Sequence, residues 1–291
     1  MFRKVLKYDF RAVGRLWWIL ALALTWISVL GAIALRSIIS FTSMDMSRYT
    51  VLTEIMLIGA IIFLFASFIA ICASGLLSQL LVYYRFYRNF YTDEGYLTFT
   101  LPVSRKTLLL SKTVNAFIWT VLSGALIVFC FSIFILIAPP AEYAVGFYDS
   151  FFRVFLWGGI TFLWDNLGAW LIVYVIEGIL ILSAYTLFSI SLIHFCITTG
   201  AIVAKKYKLL AGIGIYYVAN MAVSLASQIV MLFGSAIFSG LYDEFLRNAS
   251  AAVQNGYTAL VLLITFVGVS ALALVAYTLT QQKLERKLNL E

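Results

Sequence analysis

Apolar positions in this chain neither alternate with polar ones at a strand period nor keep to one stripe of a surface helix. They run together in stretches long enough to cross the roughly 30 Å hydrocarbon layer of a bilayer. Six such runs predict spans at residues 16–38, 52–84, 113–137, 168–203, 209–235 and 257–280. In lipid every backbone amide must be bonded within a helix or a closed barrel, and uninterrupted runs select helices. The second and fourth runs exceed the bilayer thickness and are expected to tilt, kink or project. Projection is expected for the second, which ends in Tyr83-Tyr84-Arg85-Phe86-Tyr87-Arg88, aromatics passing into cations. Ahead of the first run, Phe2, Leu6, Phe10 (or Asp9) and Val13 share one helical face while the cations lie mainly elsewhere. That pattern predicts an N-terminal amphipathic interfacial helix, serving either as the entry helix of a transporter or only as an anchor. The expected fold class is all-α, a polytopic membrane protein with one transmembrane domain over residues 1–291.

Composition supports this reading: of 291 residues, 63% are hydrophobic and 11% charged, against roughly 25% charged in a soluble domain. The distribution of cations sets an orientation. With the N-terminus inside, sixteen of the 20 Lys and Arg residues fall on the inner side, and Arg36, Arg48, Arg153 and Arg247 fall outside. Both termini are therefore expected in the cytoplasm, with the chain integral to a membrane, expected to be a bacterial plasma membrane. The net charge of +7 is divided among four juxtamembrane segments and suits anionic lipid headgroups rather than nucleic acid. A cleavable signal is not expected, because the basic start leads into a full-length span without a small-residue cleavage site. Cys72, Cys130 and Cys196 all lie within spans at spacings that match no metal or redox motif, and packing roles are expected for them.

The most informative segment is the loop between the second and third spans. Pro102 disfavours helix at Leu101, and Ser104 is a good N-cap for a helix running into the third span. The loop thus predicts a short helix, a proline break and a new helix. The short piece begins with Asp93 and Glu94 and carries Tyr96, Leu97 and Phe99 as apolar knobs in water, a combination that invites a protein partner. The run Asp93-Glu94-Gly95-Tyr96-Leu97, followed by Leu101-Pro102-Val103-Ser104-Arg105 and Lys112, resembles the intracellular loop of type-2 ATP-binding-cassette exporter permeases. Six spans, an amphipathic N-terminal helix and inner termini also resemble that family. The resemblance implies that residues from about 89 to 101 form a coupling helix docked in a groove of a separate ATPase subunit. Glu94 would then be a polar contact and Tyr96, Leu97 and Phe99 packing contacts, with Asp93, Gly95, Pro102 and Arg105 in the same docking element. Without such a partner, the segment reads as a lipid-facing elbow with its aromatics among headgroups. The chain has no phosphate-binding Gly-x-x-x-x-Gly-Lys-Ser/Thr loop. No cofactor is expected in this chain, and ATP and magnesium would belong to the partner ATPase.

Within the spans, Glu177 is the sole acid well inside an apolar run. It is expected either to contact substrate or a proton in a cavity, or to be a hydrogen-bonded acid near the interface. Asn220, Ser224, Ser227 and Gln228 form a polar stripe on the fifth span, either lining a pathway or bonding helices together. Ala66, Ala70, Ser74 and Ser78 recur every four residues on the second span as a ridge for close packing, within the chain or across a dimer. His194 has no ligand-spaced partner and is read as structural. Glu142, Asp149 and Asp165 lie in the outer loop after Pro139-Pro140 and are read as solvated, and Asn248-Ala249-Ser250 is a weak glycosylation pattern.

These features together predict the permease subunit of an ATP-driven exporter for an amphipathic substrate such as a peptide, lipid or drug. It would pair with a second copy or a related permease above two ATPase subunits. Two rivals stay open: an ion-coupled secondary transporter using Glu177, and a non-transport membrane scaffold. An intramembrane enzyme fares worst, since no Ser/Lys pair, acid dyad or His cluster is placed for chemistry.

Overall fold

The computed structural model describes residues 2–42, 50–100, 102–204 and 206–286. Arg48, Leu101, Lys205 and Lys287, which enter the charge count or the loop motif, lie outside the described residues. No strand occurs among those that are described. Helices are α1 (Phe2–Thr42), α2 (Val51–Tyr91), α3 (Asp93–Thr100), α4 (Arg105–Ile137), α5 (Ala141–Asp149), α6 (Gly158–Leu167), α7 (Trp170–Val203), α8 (Lys208–Leu241) and α9 (Ala251–Arg286), with π-helical turns at Ser150–Trp157 and Tyr242–Leu246. Six of them, α1, α2, α4, α7, α8 and α9, are long and apolar enough to cross a membrane, and the chain is an integral membrane protein. All but α7 extend beyond their apolar runs. At 1.5 Å per residue the 41-residue α2 is about 60 Å long, twice the hydrocarbon thickness. It is therefore longer than a single crossing requires.

α1 is a single 41-residue helix, so residues 2–15 are its first turns rather than a separate element. Asp9 and Val13 are buried there, while Lys4, Lys7, Arg11 and Arg15 are exposed. Thr50 starts α2: the Thr53 amide donates to Thr50 Oγ1 at 3.4 Å and the Thr50 amide to Thr53 Oγ1 at 2.9 Å, a reciprocal cap for two otherwise orphaned donors. Ser104 caps α4 in the expected way, accepting from the Thr107 amide at 3.3 Å.

The chain packs as two compact units. One comprises residues 3–82 and 118–166. Its centre holds Leu24, Ile71 and Cys130, with Leu20, Leu126, Ile127 and Phe134 around them. Nearby, Trp119 is stacked on Phe10 with ring centroids 4.6 Å apart, and the Trp17 indole donates to Ser123 Oγ at 3.0 Å. The other unit comprises residues 1–2, 83–117 and 167–291. Here α7 packs against both α8 and α9. A Cβ at Gly200 would lie 2.2 Å from the Gly212 nitrogen, so only glycine lets the backbones of α7 and α8 approach this closely.

Candidate functional site

The short helix α3 is folded back against the ends of α2 and α4. α2 stops at Tyr91, and the turn is closed by the Gly95 amide donating to the Thr92 carbonyl at 2.7 Å. Gly95 is buried in this corner, where a Cβ would meet the Phe90 carbonyl oxygen at 2.8 Å. The corner thus explains a glycine at this position by close approach of backbone to backbone. The short helix begins at Asp93 rather than near residue 89, because Asn89 and Phe90 complete the last turn of α2.

One side of α3 is fastened to the chain. Glu94 forms an ion pair with Arg88. Asn89 donates to Glu94 Oε2 at 3.2 Å while its oxygen accepts from the Lys112 ammonium, which joins α2, α3 and α4 in one polar network. Lys112 is only 6% exposed. Its charge is tolerable there because an oxygen acceptor and, one step on, a carboxylate face it. Phe99 packs edge-on against Phe90 at 5.5 Å, and the Arg105 guanidinium lies over the Phe99 ring at 5.3 Å. Arg105 also donates to the main-chain carbonyls of Leu284 and Glu285 in the last turn of α9, where carbonyls lack helical partners.

The opposite side of α3 is open. Asp93, Tyr96, Leu97 and Thr100 are exposed, Tyr96 and Leu97 by 67% and 68%, and their spacing places them on one face of the helix. Of the docking residues expected from the sequence, Asp93, Tyr96 and Leu97 thus face outward. Glu94, Gly95, Phe99 and Arg105 turn toward the chain itself, and Pro102 lies in the break between α3 and α4.

Behind this element is a buried seam. His194 on α7 is stacked on Phe86 at 3.9 Å, and its Nδ1 lies 3.5 Å from Thr113 Oγ1. Tyr91 and Thr198 share a hydrogen bond of 2.6 Å. On α9, Lys283 donates to Thr199 Oγ1 at 2.7 Å and lies 4.3 Å over the Phe195 ring. Sequence reasoning missed Arg88, Asn89 and Lys283 in these roles, and no local signal connects Lys283 to residues on α7.

The remaining sequence candidates lie on α7, α8 and α2. Glu177 is half-buried on α7 with its Oε2 enclosed and without a hydrogen-bond partner. One helical turn before it, Tyr174 donates to the Asn255 side chain on α9 at 3.0 Å. Asn220, Ser224, Ser227 and Gln228 are all exposed, and every residue from 224 to 237 is exposed with them. The small-residue ridge on α2 is displaced from the sequence reading. Ala66 is exposed and Ala70 half-buried, while Ser67, Ile71, Ser74 and Ser78 form the buried line. Ser67, Ser74 and Ser78 satisfy their hydroxyls on carbonyls of their own helix at 2.6–2.9 Å. Against Ser67 sits Gly31 of α1. Among the described residues no three His, Cys, Asp or Glu side chains converge to hold a metal.

No protein-family profile, curated protein or solved structure matches the chain at a significant level.

Proposed function

We propose that this chain is the permease subunit of an ATP-driven exporter and that α3 is its coupling helix. The observation that carries the reading is the two-sidedness of α3. One face is fixed by Arg88, Asn89, Phe90 and Arg105, and the other presents Tyr96 and Leu97 beside Asp93. A helix that transmits motion needs a stiff attachment to the spans and a free face for the element that pushes it. Exposed aromatic and aliphatic side chains rimmed by an acid form a small protein-binding surface. The partner is a separate ATPase carrying the nucleotide and magnesium, the first turns of α1 lie in the inner membrane interface, and the exposed polar edge of α8 meets a second permease or an amphipathic substrate.

Affinity purification of the full-length chain from its native membranes tests this. The wild type should carry nucleotide-hydrolysing activity through purification. Leu97→Asp should lose at least tenfold of it, with an unchanged amount of chain in the membrane. Equal activity with both proteins rejects the docking role. The enclosed, partnerless Oε2 of Glu177 favours a second reading, ion-coupled transport. Transport by the isolated wild-type chain in liposomes under a pH gradient alone, lost in Glu177→Gln, would establish that reading instead.

A further inference from the structure

Residues 141–167, the outer loop in which Glu142, Asp149 and Asp165 are read as solvated, form an almost continuous helical segment of α5, the π-helical turn Ser150–Trp157 and α6. Nine of these 27 residues are aromatic, yet they are not gathered into a core. Val145, Val154, Phe155, Trp157 and Phe162 are each more than 60% exposed, and no residue of the π-helical turn or of α6 is buried. The charges are few. Arg153 lies 3.6 Å from Asp149 one turn earlier, Glu142 sits in the first turn of α5 where the helix dipole favours an anion, and none occurs between Arg153 and Asp165.

A helical segment whose stretch from residue 154 to 164 carries no charge and is clad in exposed aromatics is unsuited to water, and Trp and Phe beside isolated polar groups suit the boundary of a bilayer. A separate observation is an apolar crevice beside α5. Leu35, Ile39, Phe134, Ala138, Tyr143 and Phe147 are among the residues lining a crevice of about 350 Å³ whose wall is almost wholly apolar. Water there would lack the polar partners it needs, whereas an acyl chain would fill it. Only three residues separate the segment from α4 and two from α7, so both of its ends are tied directly to spans.

We infer that residues 141–167 lie within the membrane interface at the end of α4 opposite α3, with lipid acyl chains as their partner. The full-length protein carrying Cys72→Ala, its other cysteines being buried, is labelled with a nitrobenzoxadiazole fluorophore at Val154→Cys, Ile160→Cys or Asn248→Cys and reconstituted in phosphatidylcholine vesicles. At the first two positions emission should be blue-shifted relative to Asn248→Cys, and lipids nitroxide-labelled near the top of the acyl chain should quench it at least threefold more than aqueous iodide does. Iodide quenching equal to that at Asn248→Cys would return the segment to water. Insensitivity to both quenchers would mean that protein covers it. Either result overturns the inference. The native circular dichroism spectrum of each labelled protein excludes misfolding as the cause.

Discussion

Arg105 connects three elements through one side chain: it begins α4, lies over Phe99 of α3 and donates to carbonyls in the last turn of α9, 179 residues away. Its planar fork suits this, because several donors diverge from a rigid group while the ring face of Phe99 takes the remaining charge. Arg105→Ala would leave the Leu284 carbonyl, in a turn where Leu284 is 1% exposed, without its charged donor. Losing a hydrogen bond of this kind costs about 1–3 kcal/mol, so the unfolding midpoint of the purified protein should fall by several degrees. Arg105→Lys should recover less than half of the loss, because an ammonium lacks the fork. An unchanged midpoint in Arg105→Ala would show that the contact contributes nothing. The sequence marks Arg105 and Glu94 as chemically important without telling which way they point. An ion pair from Arg88 to Glu94 depends on the chain doubling back at Thr92, and no periodicity relates residue 105 to residue 284.

Among the elements, those that cross the bilayer are readable from composition alone, because the energetic demand of lipid acts on every residue of a run. Their ends are less readable. α1 runs unbroken from Phe2 through the first apolar run, and α2 continues to Tyr91, because hydropathy falls at aromatic and basic turns while helicity does not. The displaced ridge on α2 has a geometric cause. A strict repeat of four drifts around a helix of 3.6 residues per turn, and the buried line Ser67, Ile71, Ser74, Ser78 steps by four, three and four to stay on one face. The close approach of α7 and α8 at Gly200 and Gly212 is a property of a pair of elements and has no counterpart in either sequence run. Gly200→Val should force these backbones apart. Overpacking in a close-packed seam costs about 1–3 kcal/mol or more, and since the added carbon would meet backbone rather than a flexible side chain, the upper part of that range is expected. Chemical unfolding in detergent would measure it, and a loss below 0.5 kcal/mol, about the noise of surface substitutions, would contradict the close approach.

At the scale of the whole molecule, the proposed coupling role requires α3 to face the compartment that holds ATP. Electrostatics favours that placement. Basic residues next to spans are retained on the cytoplasmic side during insertion, and the bias operates through short connections such as those flanking α3. Arg85, Arg88, Arg105 and Lys106 surround this helix, whereas the connection between α8 and α9 carries only Arg247. If α8 crosses the bilayer, its two ends lie on opposite sides, and the residues around Asn248 mark the side away from Lys206 and Lys208. Single cysteines at the exposed positions Tyr96 and Asn248 report both sides, given that Cys130 and Cys196 are at most 1% exposed and Cys72 is replaced by alanine. A membrane-impermeant maleimide should label Asn248→Cys in intact cells and Tyr96→Cys only in inside-out vesicles. Labelling of Tyr96→Cys from outside intact cells would put α3 beyond the reach of any cytoplasmic ATPase. The exporter reading would then fail however α3 is packed, while the six spans and the fastening of α3 to them would stand, because neither depends on which compartment the loop faces.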